Sequence, residues 1–192
     1  MPAPPRLILA SASARRHALL AQIGIVPDAV IAPAIDEAPR PRELPRRLAA
    51  RLARAKAAAV TGDGAFVLAA DTVVAVGRRI LPKARDAAAA RAALALLSGR
   101  RHRVLTAVVV LAPDGRRAER LSETVVTLAR LTAAQVAAFL DSREWQDKAG
   151  GYAIQGRMAA HVRFLAGSYS GVVGLPLFET AQLLRGLGYP LP

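Results

Sequence analysis

The chain has 192 residues and a formal net charge of +13, and it has no cysteine. This length can bury a hydrophobic core, and we expect residues 1–192 to form a single domain. No apolar run approaches the ~18 residues of a membrane span, and the N-terminus lacks the pattern of a signal peptide, so no membrane contact is expected. The lack of cysteine excludes disulfide and thiol chemistry and fits a cytoplasmic location.

The positive charge raises the prospect of a nucleic-acid partner. Aromatic residues make up only 4% of the chain, which leaves few side chains to stack on bases. Lysine accounts for only three of the 27 basic residues, and asparagine is absent. A GC-rich genome produces this bias, because both residues have A-rich codons. The composition therefore disfavours nucleic-acid binding.

The first predicted strand, residues 7–10, runs into a hydroxyl-rich turn that begins at Ser11. Arg15 and Arg16 follow, and then a helix that ends near Gly24. Free N–H groups at a helix start and paired guanidinium groups both suit phosphate oxygens. The segment is therefore either half of a polyphosphate cradle or a buried strand with a serine cap and a solvated arginine pair.

A loop at residues 33–41 carries the adjacent carboxylates Asp36 and Glu37. Their oxygens could hold a divalent cation, or they could favour the dipole of the helix that follows. That helix, near residues 43–60, has Leu48 and Leu52 in one sector, and Lys56 projects from the same sector towards the protein body. Lys56 either extends past the core edge or reaches an anion in a cleft, and we favour the cleft.

The apolar run 66–70 predicts a buried strand that ends at Asp71 and Thr72, with residues 73–76 as a second extended piece. Open α/β sheets bind ligands at the carboxyl ends of strands, whereas a solvated aspartate that caps a turn is the alternative. Asp86 and Thr132 are predicted helix N-caps, and Pro176 is predicted in the first turn of the last helix. Strands and helices alternate around a hairpin at 101–131, which predicts an α/β or α+β fold with a mixed sheet.

Taken together, these segments resemble the Maf family of nucleoside triphosphate pyrophosphatases, in the same order from Leu7 to about Leu187. The motifs that carry the resemblance are Ser11–Arg16, Asp36-Glu37, Leu52–Lys56, Ala70–Thr72, Leu81–Lys83, Ser98–Arg100 with His102 and Thr106, Asp147–Gly150, Ile154–Gly156 and Gly174–Pro176.

The resemblance implies an α/β fold with a long mixed sheet, flanking helices and two lobes around a central cleft. It also implies metal-dependent hydrolysis, with Mg²⁺ or Mn²⁺, of dTTP and UTP to the monophosphate and pyrophosphate. This reaction would remove non-standard or excess nucleotides, and a homodimer is a candidate assembly. The implied catalytic base is Asp71, the implied metal ligands are Glu37 and Asp71, and the implied substrate-binding residues are Ser11, Arg15, Arg16, Lys56, Thr72, Lys83 and Gln155.

The sequence leaves two questions open: the role of Asp71, and whether the protein is an enzyme. An aspartate with its ordinary pKa of ~3.9 is a weak base, so Asp71 either has a raised pKa or orients a water that the metal activates. A regulatory protein linked to cell division, which binds nucleotides or nucleic acid without turnover, is the second functional hypothesis. The enzyme is favoured because the set of expected catalytic groups is complete.

Overall fold

The computed structural model of the protein describes residues 5–191, so the predicted domain extends beyond the described residues at both ends. The strands are β1 (Leu7–Ala10), β2 (Ala29–Ile31), β3 (Phe66–Val76), β4 (Arg79–Leu81), β5 (Arg101–Leu111), β6 (Arg117–Leu128) and β7 (Val162–Ala166). The helices are α1 (Ala14–Gln22), α2 (Pro45–Ala58), α3 (Ala87–Leu97), α4 (Ala133–Asp141), α5 (Tyr169–Val173) and α6 (Leu177–Gly186), with a 3₁₀ turn at Arg157–His161.

The strands form one mixed seven-stranded sheet in the order β2-β1-β3-β5-β6-β7, with β4 also paired to β3. β1 is parallel to both β2 and β3, and the other pairings are antiparallel. The predicted α/β class with a long mixed sheet is therefore confirmed. Among the described residues, no helix is long and apolar enough to cross a membrane.

One edge of β3 is divided between two short neighbours. β1 pairs with residues 66–68 and β4 pairs with residues 74–76, whereas β5 pairs along the other edge from Val67 to Ala75. No strand in the described part of the chain covers residues 69–73 at the first edge. The sheet therefore has a notch between β1 and β4, and a ligand can approach the middle of β3 there.

Three apolar clusters pack on the sheet. On one face, α2 packs Leu48 and Leu52 against alternate residues of β3 and β5. On the other face, α1 and α6 cover the end near β1, while α3 and α4 cover the far end with Leu94 and Phe139. The two separate clusters on this second face correspond to the two predicted lobes, and the notch in the sheet lies between them.

The predicted caps explain where two helices begin. The Asp86 carboxylate accepts a hydrogen bond from the Ala89 N–H at 2.7 Å, at the start of α3. Thr132 and Gln135 form the predicted capping box of α4. Pro176, predicted inside the last helix, instead lies at the N-cap of α6.

Candidate active site

A cavity of about 530 Å³ opens at the notch beside β3, within the size range of small-molecule sites. All nine side chains predicted for the site line it: Ser11, Arg15, Arg16, Glu37, Lys56, Asp71, Thr72, Lys83 and Gln155. They come from the β1–α1 turn, the first turn of α1, the loop before α2, α2 itself, the middle of β3, the segment after β4 and the loop before the 3₁₀ turn. The structure thus brings these residues together from seven separate segments.

Lys56 bridges two carboxylates at the floor of this cavity. Its Nζ lies 2.6 Å from Oε1 of Glu37 and 2.5 Å from Oδ1 of Asp71, and both Lys56 and Asp71 are buried. The Lys83 Nζ lies 3.3 Å from the other oxygen of Glu37. Lys56 therefore reaches an anion in the cleft, which was the favoured prediction, because its place on the inner side of α2 aims it at β3.

Burial and charge act in opposite directions on the two carboxylates. Burial raises the pKa of Asp71 above its ordinary value, although the charges of Lys56 and Arg16 oppose this shift. Burial also acts to raise the pKa of Glu37, but the hydrogen bonds and charges of Lys56 and Lys83 together outweigh it, and the pKa lies below its ordinary value. Burial thus makes Asp71 a stronger proton acceptor than an ordinary aspartate, whereas Glu37 is a weaker one than an ordinary glutamate.

The position of Asp71 in its strand differs from the prediction. β3 is one continuous strand of 11 residues, so Asp71 lies in its middle instead of at its carboxyl end. Pairing with β5 extends β3 through Asp71, which faces Ala107, and the sequence of β3 alone does not contain that information. The strand that ends at the site is its neighbour β1, whose carboxyl end leads to Ser11. The rule that open α/β sheets bind ligands at the carboxyl ends of strands therefore applies here to β1, not to β3.

Arg16 holds several parts of the site in place. Its Nε donates to the carbonyl of Gly174 at 2.8 Å, Nη1 donates to Ser11 Oγ at 3.1 Å and Nη2 donates to Thr72 Oγ1 at 3.4 Å. A guanidinium group has five N–H donors, so two remain available for a ligand. Arg16 thus joins the β1–α1 turn to β3 and to the segment before α6, in addition to its predicted contact with phosphate.

Arg15 and Gln155 are placed differently from Arg16. In the described part of the chain, neither side chain has a hydrogen-bond partner, and both line the cavity. Burial lowers the pKa of the Arg15 guanidinium, and the charge of Asp147 opposes this shift. Gln155 is exposed at the cavity rim. Their free donors and acceptors can therefore contact a ligand directly.

Four polar side chains that were not among the predicted site residues also line the cavity: Ser13, Asp147, Lys148 and Tyr152. The Lys148 ammonium donates to the Gln146 carbonyl at 2.8 Å, and burial and the nearby Arg15 lower its pKa. The buried Tyr152 hydroxyl contacts His102 Nε2 at 2.7 Å. The sequence did contain one signal, because Lys148 is one of only three lysines.

A second cavity, of about 880 Å³, adjoins the first and shares Glu37, Asp71, Thr72 and Lys83 with it. It continues beneath the loop that carries Asp36, between α2 and the segment around Trp145. The cleft therefore passes across the notch, and the four shared residues line it from both sides.

The first cavity contains five cationic side chains (Arg15, Arg16, Lys56, Lys83 and Lys148) and three carboxylates. This excess of positive charge, next to the start of α1, favours a ligand with several negative charges. Fold and site together define an α/β protein with a polyanion-binding cleft between two lobes. The family model described as "Maf-like protein" matches residues 6–187, and the chain belongs to this family.

Relatives of known name cover almost the whole chain. A dTTP/UTP pyrophosphatase from Gluconobacter oxydans is 64% identical over 97% of this chain and 88% of its own length. A dTTP/UTP pyrophosphatase from Granulibacter bethesdensis is 58% identical over 95% of this chain and 93% of its own.

Among solved structures, a nucleoside-triphosphatase (dITP/XTP pyrophosphatase) from Mycobacterium abscessus matches with a TM-score of 0.41 and 20% sequence identity. The match covers 67% of this chain and 75% of that protein.

Proposed function

We propose that this protein hydrolyses dTTP and UTP to the monophosphate and pyrophosphate, and so removes excess or non-standard nucleotides. The observation that carries the proposal is the placement of Asp71, Lys56 and Glu37 within one cationic cavity. Membership of the Maf-like family and the names of the relatives support the same reaction.

The side chains suit attack by water on the α-phosphorus. Asp71 is the proposed general base, since burial raises its pKa and makes it a stronger proton acceptor. Lys83 and Arg15 line the same cavity, and their proposed role is to neutralise the charge that develops on the leaving pyrophosphate. The proposed role of Lys56, whose Nζ lies 2.5 Å from Asp71 Oδ1, is to orient this carboxylate. The proposed hydrolysis therefore depends on the positions and charges of these side chains more than on a covalent intermediate with the enzyme.

The carboxylates of Glu37 and Asp71 also suit a divalent cation such as Mg²⁺ or Mn²⁺. The described residues contain no group of three or more acidic, histidine or cysteine side chains that could hold a metal. Mg²⁺ in nucleotide enzymes commonly has only one or two carboxylate ligands, and phosphates and water supply the others. Glu37 and Asp71 fit this pattern. The metal would neutralise phosphate oxygens and lower the pKa of water near the α-phosphorus.

The part of the cavity that Ile154 and Gln155 line suits a base. Val74, Val104, Val173 and Ile154 provide apolar walls on the side of the sheet away from Lys56. The Gln155 amide offers both a donor and an acceptor, which matches the edge of a pyrimidine. Thr72 lines this same part of the cavity, and the triphosphate would then extend from here to the lysines.

The direct test is an assay of pyrophosphate release from dTTP, UTP, dCTP, GTP and ATP, with and without a divalent cation. We expect pyrophosphate from dTTP and UTP and none in excess chelator. Release of orthophosphate from dTTP, or full activity in chelator, would contradict the proposal. Nucleotide binding without any product would support the non-catalytic regulatory hypothesis instead.

Three further predictions accompany this proposal and await their own tests. We propose that residues 1–192 act as one domain, that the protein works in the cytoplasm and that it forms a homodimer. Size-exclusion chromatography with light scattering would test the assembly.

A further inference from the structure

Three oxygen atoms form a hydrogen-bonded chain that leads from the cavity into the protein. Thr72 on β3 and Thr106 on β5 are directly opposite in the antiparallel register, so their side chains share a face. The two hydroxyl oxygens lie 3.0 Å apart, and Thr106 Oγ1 donates to the Gly171 carbonyl at 2.7 Å. Thr106 is 1% exposed and absent from the cavity lining, whereas Thr72 lines the cavity.

The direction of each hydrogen bond follows from the number of protons. A threonine hydroxyl has one proton to donate, and a carbonyl can only accept. Thr106 gives its proton to Gly171, so Thr72 must donate in the contact between the two hydroxyls. The Arg16 Nη2 approaches Thr72 Oγ1 as a donor, at 3.4 Å, and occupies one of its lone pairs. With these contacts of the described residues counted, Thr72 can therefore serve a ligand only as an acceptor.

We propose that Thr106 is a positioning residue for base selection, which acts by committing the Thr72 hydroxyl to the role of acceptor. This inference rests on the proposed function. Thymine and uracil carry a proton on N3, which can donate to such an acceptor. Cytosine has a lone pair at N3, which meets the Thr72 oxygen as a second acceptor and is repelled. The arrangement thus selects dTTP and UTP against dCTP.

The fixed role of the Thr72 hydroxyl explains how the buried Thr106 can control base selection without contact with the substrate. A polar group that is fixed in one role rejects an analogue of the opposite polarity, because the pair is left desolvated and unbonded. If Thr106 lost its hydroxyl, Thr72 would be free to rotate and to donate its proton to cytosine N3. Selection would then weaken, while the groups around Asp71 would keep their places.

The test compares Thr106→Val, Thr106→Ser and Thr124→Val with the unmodified enzyme. Thr124 is the matched control, because it is also 1% exposed and its hydroxyl also contacts the backbone next to α5, at the Ser168 carbonyl and N–H. Thr124→Val therefore loosens the same segment without touching Thr72. The readouts are kcat and KM for dTTP and dCTP, the Kd of dTMP and dCMP, and the thermal midpoint.

We expect Thr106→Val to lower the dTTP/dCTP ratio of kcat/KM by about tenfold or more, through KM, and to lower the dTMP/dCMP ratio of affinities in parallel. Thr106→Ser keeps the hydroxyl and should stay within about threefold of the unmodified ratio. Thr124→Val should lower the thermal midpoint and leave both ratios unchanged. Equal ratios in Thr106→Val and Thr124→Val would overturn the proposal. If the unmodified enzyme released no pyrophosphate from dTTP or UTP, the proposed function itself would fail.

Discussion

Asp71→Asn is expected to lower kcat for dTTP by about 10²–10⁴-fold, the usual contribution of a general base. The substituted amide keeps the size of the side chain but cannot take a proton from water. Arg15, Arg16 and Lys83 are unchanged, so dTTP affinity should stay within a few-fold of the original. Single-turnover kinetics together with equilibrium binding of dTTP in chelator would separate the two effects.

The matched control for this substitution is Asp86→Asn. Asp86 is the exposed N-cap of α3, and asparagine caps a helix about as well as aspartate does. This variant should therefore keep the activity of the unmodified enzyme. If Asp71→Asn retained kcat within a few-fold as well, Asp71 would have no part in the proton transfer.

Replacement of Lys56 should have the second largest effect. Lys56→Met would leave Glu37 and Asp71 without the ammonium that lies between them, and we expect kcat/KM to fall about 10²-fold or more. Lys56→Arg keeps the charge but brings a broad planar group into a site sized for a compact one. We expect a loss of at least about tenfold for this variant, equal to about 1.4 kcal/mol of transition-state stabilisation.

Arg47→Lys tests whether the effect is specific to the site. Arg47 lies exposed on the same helix, α2, and the exchange there should leave kcat/KM unchanged. The chain has 24 arginines, so a lysine that merely supplied charge would be expected to tolerate arginine. If Lys56→Arg were as active as Arg47→Lys, the compact shape of the ammonium would not matter.

Local patterns in the sequence predicted the features that depend on one segment. The 3.6-residue period of α2 was enough to aim Lys56 into the protein, because its orientation is fixed by Leu48 and Leu52 on the same side. The cap residues Asp86 and Thr132 predicted two helix starts because a cap contacts only the next turn. These features need no knowledge of distant partners.

These local patterns could not predict features that depend on strand pairing. The continuity of β3 through Asp71 comes from β5, more than thirty residues later in the chain. The contact between Thr72 and Thr106 requires the register of the same pair of strands. The contact between Tyr152 and His102 also joins segments that are distant in sequence. Neither the hydrophobic period nor the composition predicts it. The resemblance to a family supplied the site residues where local patterns could not.

In the proposed reaction, water attacks the α-phosphorus of dTTP in this cleft. Hydrolysis of dTTP in water enriched in ¹⁸O tests it directly, with mass spectrometry of both products. The arrangement of Asp71, Lys56 and Lys83 predicts that one ¹⁸O enters dTMP and none enters pyrophosphate. Label in pyrophosphate, or in orthophosphate released from the γ-position, would contradict it.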